Sequence, residues 1–203
     1  MSSYSLIEKV RIPLTRCFAV ILGLIILLSV SNWEEISFTT NIFFFIGCVL
    51  VGVASLGRLW CSLYIAGYKN TSLVTTGPYS ISRNPLYFFS MLGAFGVGLS
   101  TETLIIPFII LILFAIYYPA VIRSEEKRLL NLHGDAFRSY CKDTPAFFPK
   151  LSLLNEPQTY TVNPKIFRRN IFSALWFIWL LGILEIIEEL HETGALPIFF
   201  KIY

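Results

Sequence analysis

Residues 77–87 read Gly-Pro-Tyr-Ser-Ile-Ser-Arg-Asn-Pro-Leu-Tyr, and one apolar hairpin later come two adjacent acids, Glu125 and Glu126. Gly77-Pro78 makes a turn, and Tyr79 suits either an interfacial anchor or a wall for a flat ligand ring. Arg83-Asn84-Pro85 opens a helix, with Asn84 at the N-cap and Pro85 in the first turn, so backbone donors are left facing the loop and attract a carboxylate. Tyr87 lies three residues beyond Asn84 on the same helix face, where both polar tips can reach one ligand. Adjacent acids on a helix point apart. One of Glu125 and Glu126 therefore faces a ligand, where it binds an ammonium or a ribose hydroxyl, and the other pairs with Arg or Lys. Taken separately, each half also reads as ordinary helix capping beside a solvated acidic step among basic neighbours.

The elements that must position these groups are membrane helices. Hydrophobic residues make up 55% of the chain and charged residues 14%, against roughly 25% charged in a soluble domain. Mean hydropathy is +0.67. The reading is an all-α integral membrane bundle of about five spans, at 18–30, 42–66, 86–99, 104–122 and 171–187. Residues 12–15 and Trp33 extend the first span, Trp33 as an interfacial ring. Ser29-Val30-Ser31 resembles a small-x-small cleavage site, but a long polar lead-in argues against a signal peptide. Residues 100–103 form the tight turn of the hairpin. Residues 123–165 are basic and broken by Pro145, Pro149, Pro157 and Pro164, so they begin as helix and end as loop outside the hydrocarbon. The tail 195–203 is apolar but too short to cross.

Basic residues favour cytoplasmic loops. Lys9, Arg11 and Arg16 precede the first span; Lys69 and Arg83 lie between the second and third; Arg123, Lys127, Arg128 and their neighbours follow the fourth. Glu34, Glu35, Glu102 and the acidic end of the fifth span fall on the other side. The 77–87 loop and the Glu125-Glu126 segment thus share the cytoplasmic face. A net charge of +3 is too small and too scattered for nucleic acid. Cys17, Cys48, Cys61 and Cys141 show no C-x-x-C spacing, so neither a disulfide framework nor zinc is indicated. Arg58, deep in the second span, must line a polar pocket or snorkel to the interface. Gly47, Gly52 and Gly57 permit close helix approach without forming a dimer motif. Glu188-x-x-His191 has the spacing of a di-iron ligand pair but lacks a second such helix, which leaves a wet acidic helix end.

Taken together, the Gly-Pro-Tyr loop, the Asn84-Pro85-x-Tyr87 box, the short hairpin, Glu125-Glu126-x-x-Leu129 and the trailing Gly134, Phe137, Tyr140, Pro145 and Pro149 resemble the isoprenylcysteine carboxyl methyltransferase and phospholipid methyltransferase superfamily over about residues 40–150. The resemblance implies a single domain over 1–203, with 151–203 as a C-terminal extension carrying the fifth span. It implies S-adenosylmethionine held at the cytoplasmic membrane surface by Gly77, Pro78, Tyr79, Arg83, Asn84, Pro85, Tyr87, Glu125 and Glu126, with Tyr140 near the mouth. Glu125, Glu126 and Tyr140 are then the catalytic candidates, and His133 is weighed as a base but reads better as a surface residue. The implied acceptor is a lipophilic molecule or lipid reached from the bilayer; no oligomeric state is implied. Asn84 stands where the family usually has His, and Asn accepts no proton. Ala146-Phe147 stand where a Val-Pro-Arg would supply a carboxylate clamp, which favours a lipid amine or hydroxyl over a prenylcysteine carboxylate, with Phe147, Phe148 and the tail 196–200 walling the entrance unless the tail lies on the far side. The alternatives are an NADPH-dependent membrane reductase of sterol-reductase-like architecture and a non-catalytic membrane adaptor.

Overall fold

The computed structural model describes residues 6–32, 37–68 and 71–203. Trp33, Glu34, Glu35 and Lys69, which the sequence reading used for interface and orientation, lie outside the described residues, as do the side chains of Lys9, Arg11 and Ile12. The chain runs α1 (Leu6–Leu28), β1 (Ser29–Ser31), α2 (Ser37–Ile65), α3 (Pro78–Ile81), α4 (Pro85–Leu99), α5 (Ile105–Asp143), a 3-10 turn Leu151–Leu153, α6 (Pro164–Glu192) and β2 (Phe200–Ile202). It is an all-α membrane helical protein.

Among the described residues, three helices are long and apolar enough to cross a bilayer, at Phe38–Ile65, Ile105–Asp143 and Pro164–Glu192, and two shorter apolar helices, Pro13–Leu28 and Pro85–Leu99, stand with them. Phe45, Phe108, Ile116, Phe172 and Trp179 are exposed on these helices, and such apolar outer faces suit hydrocarbon rather than water. The 39 residues of α5 extend to about 58 Å at 1.5 Å per residue, far beyond the hydrocarbon, so its C-terminal part stands outside it. The helix is broken at Gly134, where φ is 53° and ψ −123°, a conformation open to glycine.

α4 packs chiefly on α2 and α5, while α6 lies along α2 and α1 along α5. The α2–α4 seam is close because it is built on glycine. A Cβ on Gly47 would fall 2.6 Å from the Gly96 carbonyl oxygen, and one on Gly57 2.2 Å from the Phe89 ring. Gly52, the middle glycine of the series, meets nothing within 4 Å.

The tail corrects the idea that it helps wall the entrance. Phe200–Ile202 pairs in parallel with Ser29–Ser31, in the register Ser29↔Phe200, Val30↔Lys201 and Ser31↔Ile202. Phe199 N donates to Leu28 O, and Ile105 N donates to Tyr203 O, at 3.0 and 2.9 Å. The strap therefore closes the bundle beside the 100–103 turn, at the end away from the 77–87 loop. The residues that resemble a cleavage site form its buried inner strand.

Candidate functional site

At the other end, the middle of α1, the end of α2 with the loop that follows it, α3, the first turns of α4, the N-terminal third of α6 and α5 from Tyr118 to Tyr140 line a cavity of about 490 Å³. Its floor begins with the 77–85 loop, which is stapled to the segment after α5. Arg83 Nε pairs with Glu126 Oε1 at 2.9 Å, and Arg83 Nη1 donates to the Cys141 and Thr144 carbonyls at 2.8 and 3.1 Å. Asn84 occupies the N-cap position of α4 without capping it. Its Nδ2 instead donates to Ala146 O at 2.9 Å and reaches Glu126 Oε1 at 3.5 Å. Ser82 Oγ donates to Phe147 O at 2.9 Å, and Tyr140 Oη to Tyr79 O at 2.5 Å. Gly77 takes φ +60°, and a Cβ there would fall 2.3 Å from Tyr64 Cζ, so the turn passes flat against that ring.

A second layer comes from the loop before α6, which sequence reasoning treated only as polar connection. Glu156 accepts from Trp60 Nε1 at 3.0 Å and from Tyr64 Oη at 3.3 Å. Tyr160 Oη donates to Tyr64 O at 2.6 Å, with the two rings 4.5 Å apart. These contacts bind the loop to the end of α2 behind the cavity. A loop carboxylate held between a Trp and a Tyr has no periodic signal; only the polar tips of Trp60 and Tyr64 inside an apolar helix hint at a partner.

The sequence-predicted residues divide. Tyr79, Arg83, Asn84, Pro85, Tyr87, Glu125 and Tyr140 line the cavity; Gly77, Pro78 and Glu126 stand behind the lining. The paired acids thus point two ways, Glu125 to the cavity and Glu126 to Arg83. His133 is not in the lining either. Tyr79 is 7% exposed; the residue borders the cavity, and its hydroxyl is buried without a hydrogen-bond partner. Burial, then the nearby Cys61, Tyr140, Glu125 and Tyr87, holds its phenol well above the ordinary value. It is therefore a neutral O–H donor at any physiological pH. Tyr87 meets the edge of Tyr118 at 5.1 Å.

The lining also includes groups deep in the helices that sequence reasoning left undecided or missed. Arg58 donates to Ser90 Oγ from Nη1, and from Nη2 to the carbonyl and hydroxyl oxygens of Ser173, each at 3.0 Å. Its guanidinium lies 5.4 Å from the Phe177 ring centroid. Of the two alternatives for Arg58, pocket lining is the one observed. Polar serines in otherwise apolar helices were the available signal for Ser90 and Ser173.

A second cavity, of about 430 Å³, lies beside the β1–β2 strap and is lined by Glu102, Glu188, His191 and Glu192 among others. His191 is buried, with Nε2 3.0 Å from Leu27 O. Among the described residues, no three His, Cys, Asp or Glu side chains are grouped to hold a metal ion.

Comparison with known proteins agrees with this architecture. The chain is 42% identical over 166 residues to the cobalt-zinc-cadmium resistance protein CzcN of Cupriavidus metallidurans, covering 82% of this chain and 76% of that protein. It is 37% identical over 195 residues to the nickel-cobalt-cadmium resistance protein NccN of Alcaligenes xylosoxydans xylosoxydans, covering 96% of this chain and 91% of that one. No solved structure matches the chain. A family model described as phospholipid methyltransferase matches residues 39–136, which hold α2, the 77–87 loop, the hairpin and both glutamates, and the chain belongs to that family, within the superfamily of membrane methyltransferases that includes the isoprenylcysteine carboxyl methyltransferases.

Proposed function

We propose that this protein transfers a methyl group from S-adenosylmethionine to a lipophilic acceptor resident in the membrane, with the cavity opening to the cytoplasm. The observation that carries the reading is the orphaned Tyr79 hydroxyl, buried at the border of a cavity that also presents Glu125 and Arg128. A buried donor without a partner costs about 1–3 kcal/mol, and a ligand with acceptor atoms removes that cost. The donor set fits the cofactor: Glu125 for its ammonium or ribose hydroxyls, Arg128 for its carboxylate, Tyr79 and Tyr87 for polar atoms beside a ring. When bound, S-adenosylmethionine supplies an electrophilic methyl group on a sulfonium.

The chain's own part is to hold the reactants in line and to keep water out. Ile65, Leu73, Val74, Leu86 and Leu129 give the cavity its apolar wall. Arg83, Asn84 and Tyr140 use most of their polar atoms to fix the loop, so they position rather than react. Glu126 is engaged by Arg83. Glu125 remains as the carboxylate that faces the cavity and takes the acceptor's proton, if the acceptor has one to lose.

The names of the relatives connect them with resistance to cobalt, zinc, cadmium and nickel. We extend that setting to this chain as the circumstance in which its methylated product is needed. Calorimetry on the purified protein tests the reading: micromolar binding of S-adenosylmethionine is expected, with none for NADPH. NADPH binding without S-adenosylmethionine binding would overturn it in favour of a reductase, and binding of neither in favour of an adaptor.

A further inference from the structure

The charge balance of the cavity exceeds what the cofactor needs. Its lining carries Arg16, Arg58, Arg83 and Arg128 against the carboxylate of Glu125, and Glu126 behind it neutralises Arg83. S-adenosylmethionine, with a sulfonium, an ammonium and one carboxylate, calls for one cation at most. Arg16 is exposed, which leaves Arg58 as the enclosed surplus. Arg58 lies seven residues before Ile65 on α2, about 10 Å further along the helix at 1.5 Å per residue. Its partners among the described residues are neutral: Ser90, Ser173 and the face of Phe177. Its Nε makes no hydrogen bond. A guanidinium held among apolar helices by neutral groups keeps an uncompensated charge and a free donor, and such intramembrane charges mark ligand paths.

Two helices reach the cavity at this end. α1 and α6 meet at the far end through Leu27 O and His191, whereas near the loop both Thr15 of α1 and Ser173 of α6 face the cavity. α1 packs along α5, and α6 along α2. The two helices thus border the cavity beside Arg58, which Ser173 of α6 holds.

We infer that Arg58, with Ser90 and Ser173, seats an oxyanion, phosphate or carboxylate, of the amphiphile that is methylated, while its hydrocarbon chain leaves between α1 and α6. This rests on the proposed methyl transfer but is measured separately from it. Guanidinium forks match such oxyanions in pairs of hydrogen bonds, which supplies the clamp missing at Ala146.

The test is calorimetric titration of the full chain in maltoside micelles with monododecyl phosphate, laurate and inorganic phosphate. Wild type is expected to bind one of the two amphiphiles, Arg58→Gln at least about tenfold more weakly, and Arg58→Lys in between, while S-adenosylmethionine affinity in Arg58→Gln stays within about twofold. Should Arg58→Gln fail to fold, Ser173→Glu sets a carboxylate against the guanidinium and is expected to abolish amphiphile binding. Equal binding by wild type and Arg58→Gln, or by wild type and a folded Ser173→Glu, would overturn the inference. So would inorganic phosphate binding as tightly as dodecyl phosphate, or cofactor loss in parallel with anion loss in Arg58→Gln. Wild type that binds the amphiphile but not S-adenosylmethionine would sink the methyltransferase reading and leave the anion seat standing.

Discussion

At the scale of single residues, the site separates side chains that hold the loop from side chains that face the cavity. Tyr79→Phe removes only a hydroxyl that has no protein partner, so thermal stability is expected to hold while S-adenosylmethionine binding weakens by up to about tenfold, the worth of one hydrogen bond of about 0.5–1.5 kcal/mol. Glu125→Ala is expected to cost about 1.5–3 kcal/mol of binding, as for a bond to a charged group. Glu126→Gln acts differently. It leaves Arg83, 14% exposed, without its carboxylate, and the expected result is a loss of about 1–3 kcal/mol of stability, discounted for partial solvation of the pair. Melting in detergent, run beside calorimetry, distinguishes the two glutamates. Because the Tyr79 phenol is raised above its ordinary 10.0, its neutral form is favoured in the fold. Its contribution is present below about pH 10 and fades only as pH rises beyond that, so binding should not titrate through Tyr79 between about pH 6 and 9. The sequence showed that the two acids diverge. Which one turns inward depends on the side from which Arg83 approaches, and that is set by the Cys141 and Thr144 carbonyls, far along the chain.

At the scale of elements, apolar runs identified the helices because nothing else satisfies a backbone in lipid. Their partners were less legible. Gly47, Gly52 and Gly57 look equivalent in sequence, yet Gly47 and Gly57 let α4 approach and Gly52 does not. Gly47→Val would drive a side chain into the Gly96 carbonyl and Ser100, and a loss of about 1–3 kcal/mol is expected, as in other overpacked seams. Gly52→Ala should be neutral or mildly stabilising through helix propensity. The ratio of their melting shifts checks the seam. Asn84 shows a further limit: its place before Pro85 follows from local rules, but tertiary contact takes its side chain from the cap to Ala146. The loop before α6 was read as polar connection since prolines and mixed residues carry no period. Its fold depends on Glu156 finding Trp60 and Tyr64.

At the scale of the whole molecule, the two ends of the bundle do separate work. Basic residues collect around the cavity end and acids around the strap, so reporter fusions after Lys150 are expected to report cytoplasm, and fusions after Thr101 or Tyr203 the opposite side. A translocated Lys150 fusion would remove the cofactor reading, since S-adenosylmethionine is a cytosolic compound. The strap permits a cleaner separation. Phe200–Ile202 joins the end of α1 by strand pairing, Asn32 N donates to Ile202 O at 2.7 Å and Ile105 N to Tyr203 O at 2.9 Å. The last residues thus tie α1 to the start of α5 and leave nothing at the cavity. Two short strands are weak alone, so their worth lies in fixing where three helix ends meet. Removing residues 198–203 should lower the melting temperature measurably and leave S-adenosylmethionine affinity, taken well below the new melting point, within about twofold of wild type, far less than the tenfold that one kcal-scale contact represents. Full loss of binding in a truncated protein that still melts cooperatively would mean that the strap sets the spacing of α1 and α5 at the cavity itself.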